Sequence, residues 1–147
     1  LEGAHLATVE KLTAAGIPVM GHLGLTPQSL HQLGGYRVQG RTDGDAILEA
    51  ALALEKAGAF AIVLELVPAE LAARISKALT VPTIGIGAGT DCDAQVLVWT
   101  DMAGLTATPP KLAKAYRNLR KELMGAAQEF AEEVRSGKFP TESQTFH

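Results

Sequence analysis

Four nearly unbroken apolar runs constrain this chain more than any other feature. They are Ile17-Pro18-Val19-Met20-Gly21-His22, Phe60-Ala61-Ile62-Val63-Leu64-Glu65, Val81-Pro82-Thr83-Ile84-Gly85-Ile86 and Gln95-Val96-Leu97-Val98-Trp99. A strand with one wet face alternates apolar and polar residues. A strand buried on both faces reads as a continuous run, as in parallel sheets covered by helices. Helical stripes lie between the runs. Leu6, Val9, Leu12 and Thr13 share one face of a helix that Gly16 ends. Thr26-Pro27 opens a short helical turn. Ile47, Ala51 and Leu54 mark a helix that Asp43 or Asp45 caps and Gly58 ends, and Leu71, Ile75 and Ala78 or Leu79 mark another starting near Pro68. Helix followed by buried strand, repeated, is the βα unit with right-handed crossovers.

The last segment differs. Leu112, Tyr116, Leu119, Leu123, Ala127, Phe130 and Val134 recur every three or four residues, which predicts a long amphipathic helix from about Lys111 to Ser136 with a tail from Gly137 to His147. The 147 residues suffice for a single domain with a real core, read here as residues 1–147. Four parallel strands fit a small open sheet or half of a (βα)8 barrel, since a whole barrel needs about 250 residues. The connection from Gln28 to Gly44 is long for a βα loop, and long loops inside compact α/β domains are usually functional.

Charge narrows the function classes. Thirteen Lys and Arg against sixteen Asp and Glu give a net charge of −3, which argues against a nucleic-acid groove. No apolar run approaches the roughly 20 residues that cross a bilayer, so no membrane partner is expected. One cysteine, Cys92, permits no internal disulfide and fits a reducing, cytoplasmic compartment. The chain opens on Leu1-Glu2-Gly3 with no Met, and the expectation is that it is part of a longer protein.

In α/β architectures chemistry sits at the carboxyl ends of the strands. Glu65 ends the second run, directly after Ala-Ile-Val-Leu. Scarce solvent there disfavours the charged carboxylate and makes it a stronger base, able to take a weakly acidic proton beside a carbonyl. The alternative is a structural Glu held by an arginine or by backbone amides. His22, between glycines, can bond a substrate carboxylate or shuttle a proton, or be a histidine satisfied by backbone groups. Glu2 lies at a strand's carboxyl end if the residues before it form a strand. His5, His22, His31 and His147 show no zinc-ligand spacing, and Cys92 has no partner. Gly85-x-Gly87-x-Gly89 is only loosely a dinucleotide loop, since Thr90 stands where a glycine is needed. Its glycines are expected to admit a bulky ligand or a neighbouring strand. Arg37 and Arg41 either anchor a carboxylate or staple the loop.

Several stretches together resemble the ketopantoate hydroxymethyltransferase family. They are Gly21-His22-Leu23-Gly24-Leu25-Thr26-Pro27-Gln28-Ser29, Gly34-Gly35-Tyr36-Arg37-Val38-Gln39-Gly40-Arg41, Val63-Leu64-Glu65-Leu66-Val67-Pro68 and Ile84-Gly85-Ile86-Gly87-Ala88-Gly89, continuing to Pro110-Lys111 and the Phe139-Pro140 tail. The resemblance implies a (βα)8 TIM-barrel fold, here about its second half (strands five to eight) plus a long C-terminal helix. It implies a homo-oligomer, a decamer in the bacterial members. It implies transfer of a hydroxymethyl group from 5,10-methylenetetrahydrofolate, as co-substrate, to the keto acid 3-methyl-2-oxobutanoate, giving 2-dehydropantoate for pantothenate synthesis, with Mg²⁺ chelating the keto acid. On it, Glu65 is the base that removes the C3 proton, His22 the active-site histidine of the Gly-His-Leu-Gly motif, and Glu2 an acidic residue near the metal.

The chain also departs from the pattern. The family's two metal aspartates, in Gly-Asp-Ser and Ala-Asp-Leu-Pro motifs, are not in this sequence, and the substrate-binding lysine would fall two residues before Glu2. Gln144 and Thr145 replace the usual His-Ser of the tail. A single carboxylate is a poor Mg²⁺ site, so the chain alone is expected to bind Mg²⁺ weakly and show little activity. Two alternatives stand beside this reading: an inactive fragment or assembly piece of such a barrel, and another Mg²⁺-enolate barrel of the phosphoenolpyruvate mutase or isocitrate lyase type.

Overall fold

The computed structural model describes residues 1–147, which divide into two compact units, Leu1–Val96 and Leu97–His147. The first runs α1 (Leu6–Ala14), β1 (Met20–Gly24), a 3₁₀ turn (Pro27–Ser29), α2 (Gly44–Lys56), β2 (Ala61–Glu65), α3 (Ala69–Ala78), β3 (Thr83–Ile86) and β4 (Ala94–Gln95). Its strands form one sheet in the order β1-β2-β3-β4, with every pair parallel. This α/β sheet follows chain order with no reversal, so each crossover moves the chain one strand over in the same direction.

Register decides which side chains share a face, because neighbouring paired residues point the same way and successive residues alternate. Met20 pairs with Ala61, His22 with Val63 and Gly24 with Glu65 in β1–β2, and Glu65 pairs with Ile86 in β2–β3. The opposite face carries Leu23, Ile62 and Leu64. These three pack into one core with Val9 of α1, Ala51 and Leu54 of α2, and Leu71, Ala72 and Ile75 of α3. The apolar runs predict strands buried on both faces. Within Leu1–Val96 the helices instead gather on one face, leaving Met20, His22, Val63 and Glu65 only half-buried. Fully burying a Leu or Ile stabilises by about 1.5–3 kcal/mol, so the packed helix-side face dominates the stability of this sheet.

Several boundaries differ from the sequence expectation. The first strand is Met20–Gly24, not 17–22, and the third begins at Thr83, not at 81. The fourth strand is Ala94–Gln95, not 95–99. Val96 still donates its amide to the Gly85 carbonyl at 3.0 Å, but Val96, Val98 and Trp99 are exposed, and a run with no cover gains nothing from strand geometry.

The second unit holds α4 (Trp99–Met102), α5 (Leu119–Ser136) and a 3₁₀ turn (Glu142–Gln144). The long helix therefore starts at Leu119, eight residues after Lys111. Leu112 and Tyr116 lie outside it, because the Tyr116 amide bonds the Met102 carbonyl at 2.8 Å and Asn118 caps the helix by accepting from the Lys121 amide at 3.2 Å.

Candidate active site at the carboxyl ends of the strands

Glu65 is the last residue of β2 and His22 the third of β1. The register places Gly24 directly beside Glu65, so His22 is the nearest side chain of β1 on that face. His22 Nε2 lies 3.0 Å from Glu65 Oε2. Their side chains are 19% and 14% exposed, so the pair is reachable from solvent yet shielded from bulk water. With the carboxylate ionised, the imidazole N–H donates and fixes the orientation of Glu65.

The backbone under Glu65 is held from three sides. Its carbonyl accepts the Leu25 amide at 2.8 Å, the Leu66 amide bonds the Ile86 carbonyl at 3.0 Å, and the Leu66 carbonyl accepts the Gln39 amide at 2.8 Å. Gly24 has φ +90°, and a Cβ there would sit 2.1 Å from the Glu65 carbonyl oxygen, so only glycine lets β1 leave the sheet against β2 at this point.

Glu2 belongs to no strand of the sheet and meets it through one isolated bridge. The bridge is parallel, to His22, with the Gly3 amide on the His22 carbonyl at 2.9 Å, so residues 1–3 lie beside β1. One of its carboxylate oxygens, Oε2, accepts the Gln28 amide at 2.9 Å. Mg²⁺ demands near-octahedral oxygen coordination, and no group of three or more His, Cys, Asp or Glu side chains converges anywhere in the chain. Glu2 alone, with one oxygen already engaged, does not build a magnesium centre.

The remaining candidates resolve differently. Arg37 and Arg41 are exposed on the β1–α2 loop and join no ion pair. The loop is fastened at Gln39 instead, by that residue's own backbone amide. Gly85 admits its neighbours, since a Cβ there would lie 3.0 Å from Cys92 Sγ and from the Gln95 amide group, and one at Gly89 would lie 2.6 Å from Ala69 Cβ. Sequence pattern does not single out Leu66, whose φ of +48° makes it the one non-glycine residue with positive φ.

Away from the pair, hydrogen bonds tie the sheet to its helices. Buried Thr83 shares a hydroxyl–hydroxyl bond of 2.6 Å with Ser76 of α3 and donates through its amide and hydroxyl to Asp93 at 2.8 and 2.9 Å. The Thr83 amide and hydroxyl hold the Asp93 carboxyl below the usual carboxylate range. The Thr80 hydroxyl, then the Thr80 and Val81 amides, do the same for Glu55.

The family profile described as Ketopantoate hydroxymethyltransferase matches residues 1–142. A 3-methyl-2-oxobutanoate hydroxymethyltransferase of Thermobifida fusca (strain YX) is 59% identical over 150 residues, covering 99% of this chain and 54% of the relative. Proteins of that name from Acidothermus cellulolyticus and Acaryochloris marina are 62% and 58% identical, covering 94% and 95% of this chain and 52% and 56% of the relatives. The chain spans about half the length of the curated relatives it matches.

Proposed function

The chain belongs to the ketopantoate hydroxymethyltransferase family, and from that premise we propose that it carries the proton-transfer pair of a hydroxymethyl transfer from 5,10-methylenetetrahydrofolate to 3-methyl-2-oxobutanoate. The observation that carries this reading is the 3.0 Å contact between His22 and Glu65 on the half-buried face at the strands' carboxyl ends. Glu65 takes the C3 proton beside the 2-oxo group, and the carbanion so formed bonds the donor's methylene carbon as one of its C–N bonds opens; water then replaces tetrahydrofolate at that carbon and supplies the hydroxyl oxygen. His22 donates to one carboxylate oxygen, leaves the other for the proton, and keeps the group aimed. The fold that suits this is part of a (βα)8 barrel. Its supports are the sequential parallel order and the helices gathered on one face, which leave the face bearing His22 and Glu65 to line an interior.

The metal does not come from this chain alone. Glu2 contributes at most one position of an Mg²⁺ shell. Isothermal titration of the isolated chain is expected to show weak Mg²⁺ binding, and tight stoichiometric binding would contradict this.

The activity is tested on the protein at full length, by following 2-dehydropantoate formation. Glu65→Gln keeps the shape of the side chain and removes the base. It is expected to cost on the order of 100-fold or more in kcat, the range of a lost general base. Wild-type turnover in Glu65→Gln would remove Glu65 from this role.

A further inference from the structure

Leu66 adopts the left-handed backbone region at φ +48°, which bulky side chains avoid. Nothing in a Leu favours that conformation, so the surroundings impose it. They are two hydrogen bonds, from the Leu66 amide to Ile86 of β3 at 3.0 Å and from the Gln39 amide of the long loop to the Leu66 carbonyl at 2.8 Å. The residue before it is Glu65.

We propose that Leu66 is a positioning residue: its left-handed backbone, pinned by Gln39 and Ile86, ends β2 so that the Glu65 carboxylate stays against His22. The inference rests on the proton-transfer reading of that pair. An extended residue at 66 would continue the strand and draw its carbonyl away from Gln39. The Glu65–Leu66 peptide would then turn, and the side chain of Glu65 with it. The long β1–α2 loop thereby gains a purpose, because its backbone at Gln39 holds the strand end that aims the base. The backbone conformation matters here, not the leucine side chain, and substitutions that separate the two decide the point.

The test compares full-length protein carrying Leu66→Gly, Leu66→Asn and Leu66→Ile with Glu65→Gln, reading kcat and KM separately. Glycine and asparagine tolerate the left-handed region, whereas β-branched isoleucine keeps the bulk and resists it. The expected result is kcat within about twofold of wild type for Leu66→Gly and Leu66→Asn, and a fall of about 100-fold for Leu66→Ile with KM little changed, the order that a misplacement of ~1 Å costs. A crystal structure of Leu66→Ile should show the His22–Glu65 contact broken. A fall in Leu66→Gly as large as in Leu66→Ile, or full turnover in Leu66→Ile, overturns the proposal. If Leu66→Ile does not fold, Gln39→Pro takes its place by removing the amide that holds the Leu66 carbonyl: the same fall in kcat is expected, and wild-type turnover overturns the proposal. If Glu65→Gln itself keeps wild-type turnover, the failure lies with the proton-transfer reading, not with Leu66.

Discussion

Replacing Gly24 by alanine strikes the support of the site directly. The added Cβ would lie 2.1 Å from the Glu65 carbonyl oxygen and 2.7 Å from Val67 Cγ1, far inside the ~3.5 Å at which non-bonded atoms attract best. Val67 is buried and the oxygen belongs to the backbone, so neither yields cheaply. Alanine at φ +90° also carries backbone strain of about 1–2 kcal/mol. Moving the carbonyl aside loses its bond from Leu25, about 1 kcal/mol. Together these give about 2–3 kcal/mol of destabilisation, with the Glu65 side chain displaced from His22. Gly16→Ala is the control: its φ is +79° but nothing lies within 4 Å of the new atom, so it carries the strain alone, about 1–2 kcal/mol. Urea unfolding monitored by circular dichroism measures both. Equal losses in the two variants, or a Gly24→Ala loss below about 0.5 kcal/mol, would refute the close approach of β1 and β2 at this point.

The hydrogen bonds and helices carry further expectations. Thr83→Val removes the hydroxyl that Ser76 and Asp93 share and should cost about 1–3 kcal/mol in thermal or urea unfolding. The carboxyls of Glu55 and Asp93 titrate below the usual range when folded, so each contributes stability that is present above the unfolded value near ~4 and lost as pH falls through the lowered folded value. Urea midpoints measured from about pH 7 to about pH 2 should therefore fall with acid, and less steeply in Glu55→Gln, which has no such proton to take up. Gly125→Ala meets nothing within 4 Å inside α5 and should raise stability by about 0.5–1 kcal/mol, seen as a higher unfolding midpoint.

Much of the fold is legible in the sequence because burial and periodicity agree in the first unit. The runs ending in Glu65 and Ile86 hold β2 and β3, the first run overlaps β1 at Met20 to His22, and the stripes at Val9, Leu54 and Ile75 face the core. Pattern alone places Glu65 at the end of its strand, whereas it ends the first strand at His22 and β1 runs two residues further, to Gly24. The 3.0 Å contact of His22 with Glu65 requires the register, which sets Gly24 beside Glu65 and leaves His22 as the neighbour. The fourth run fails as a strand because apolar content without a covering layer does not specify one. The periodicity overextends the last helix to 111–136 because Leu112 and Tyr116 continue its spacing by coincidence, while the Tyr116 amide is engaged with Met102. Leu66 leaves no trace in the sequence, since leucine has no preference for the left-handed region and the bonds its backbone makes, to Ile86 and Gln39, are long-range.

Glu65 is the group proposed to take a proton from carbon, and every functional step depends on it. Deuterium exchange at C3 of 3-methyl-2-oxobutanoate, followed by NMR on the full-length protein with no one-carbon donor present, isolates that step from the transfer. Exchange by the wild type that disappears in Glu65→Gln is the predicted result. Exchange that persists unchanged in Glu65→Gln would contradict it.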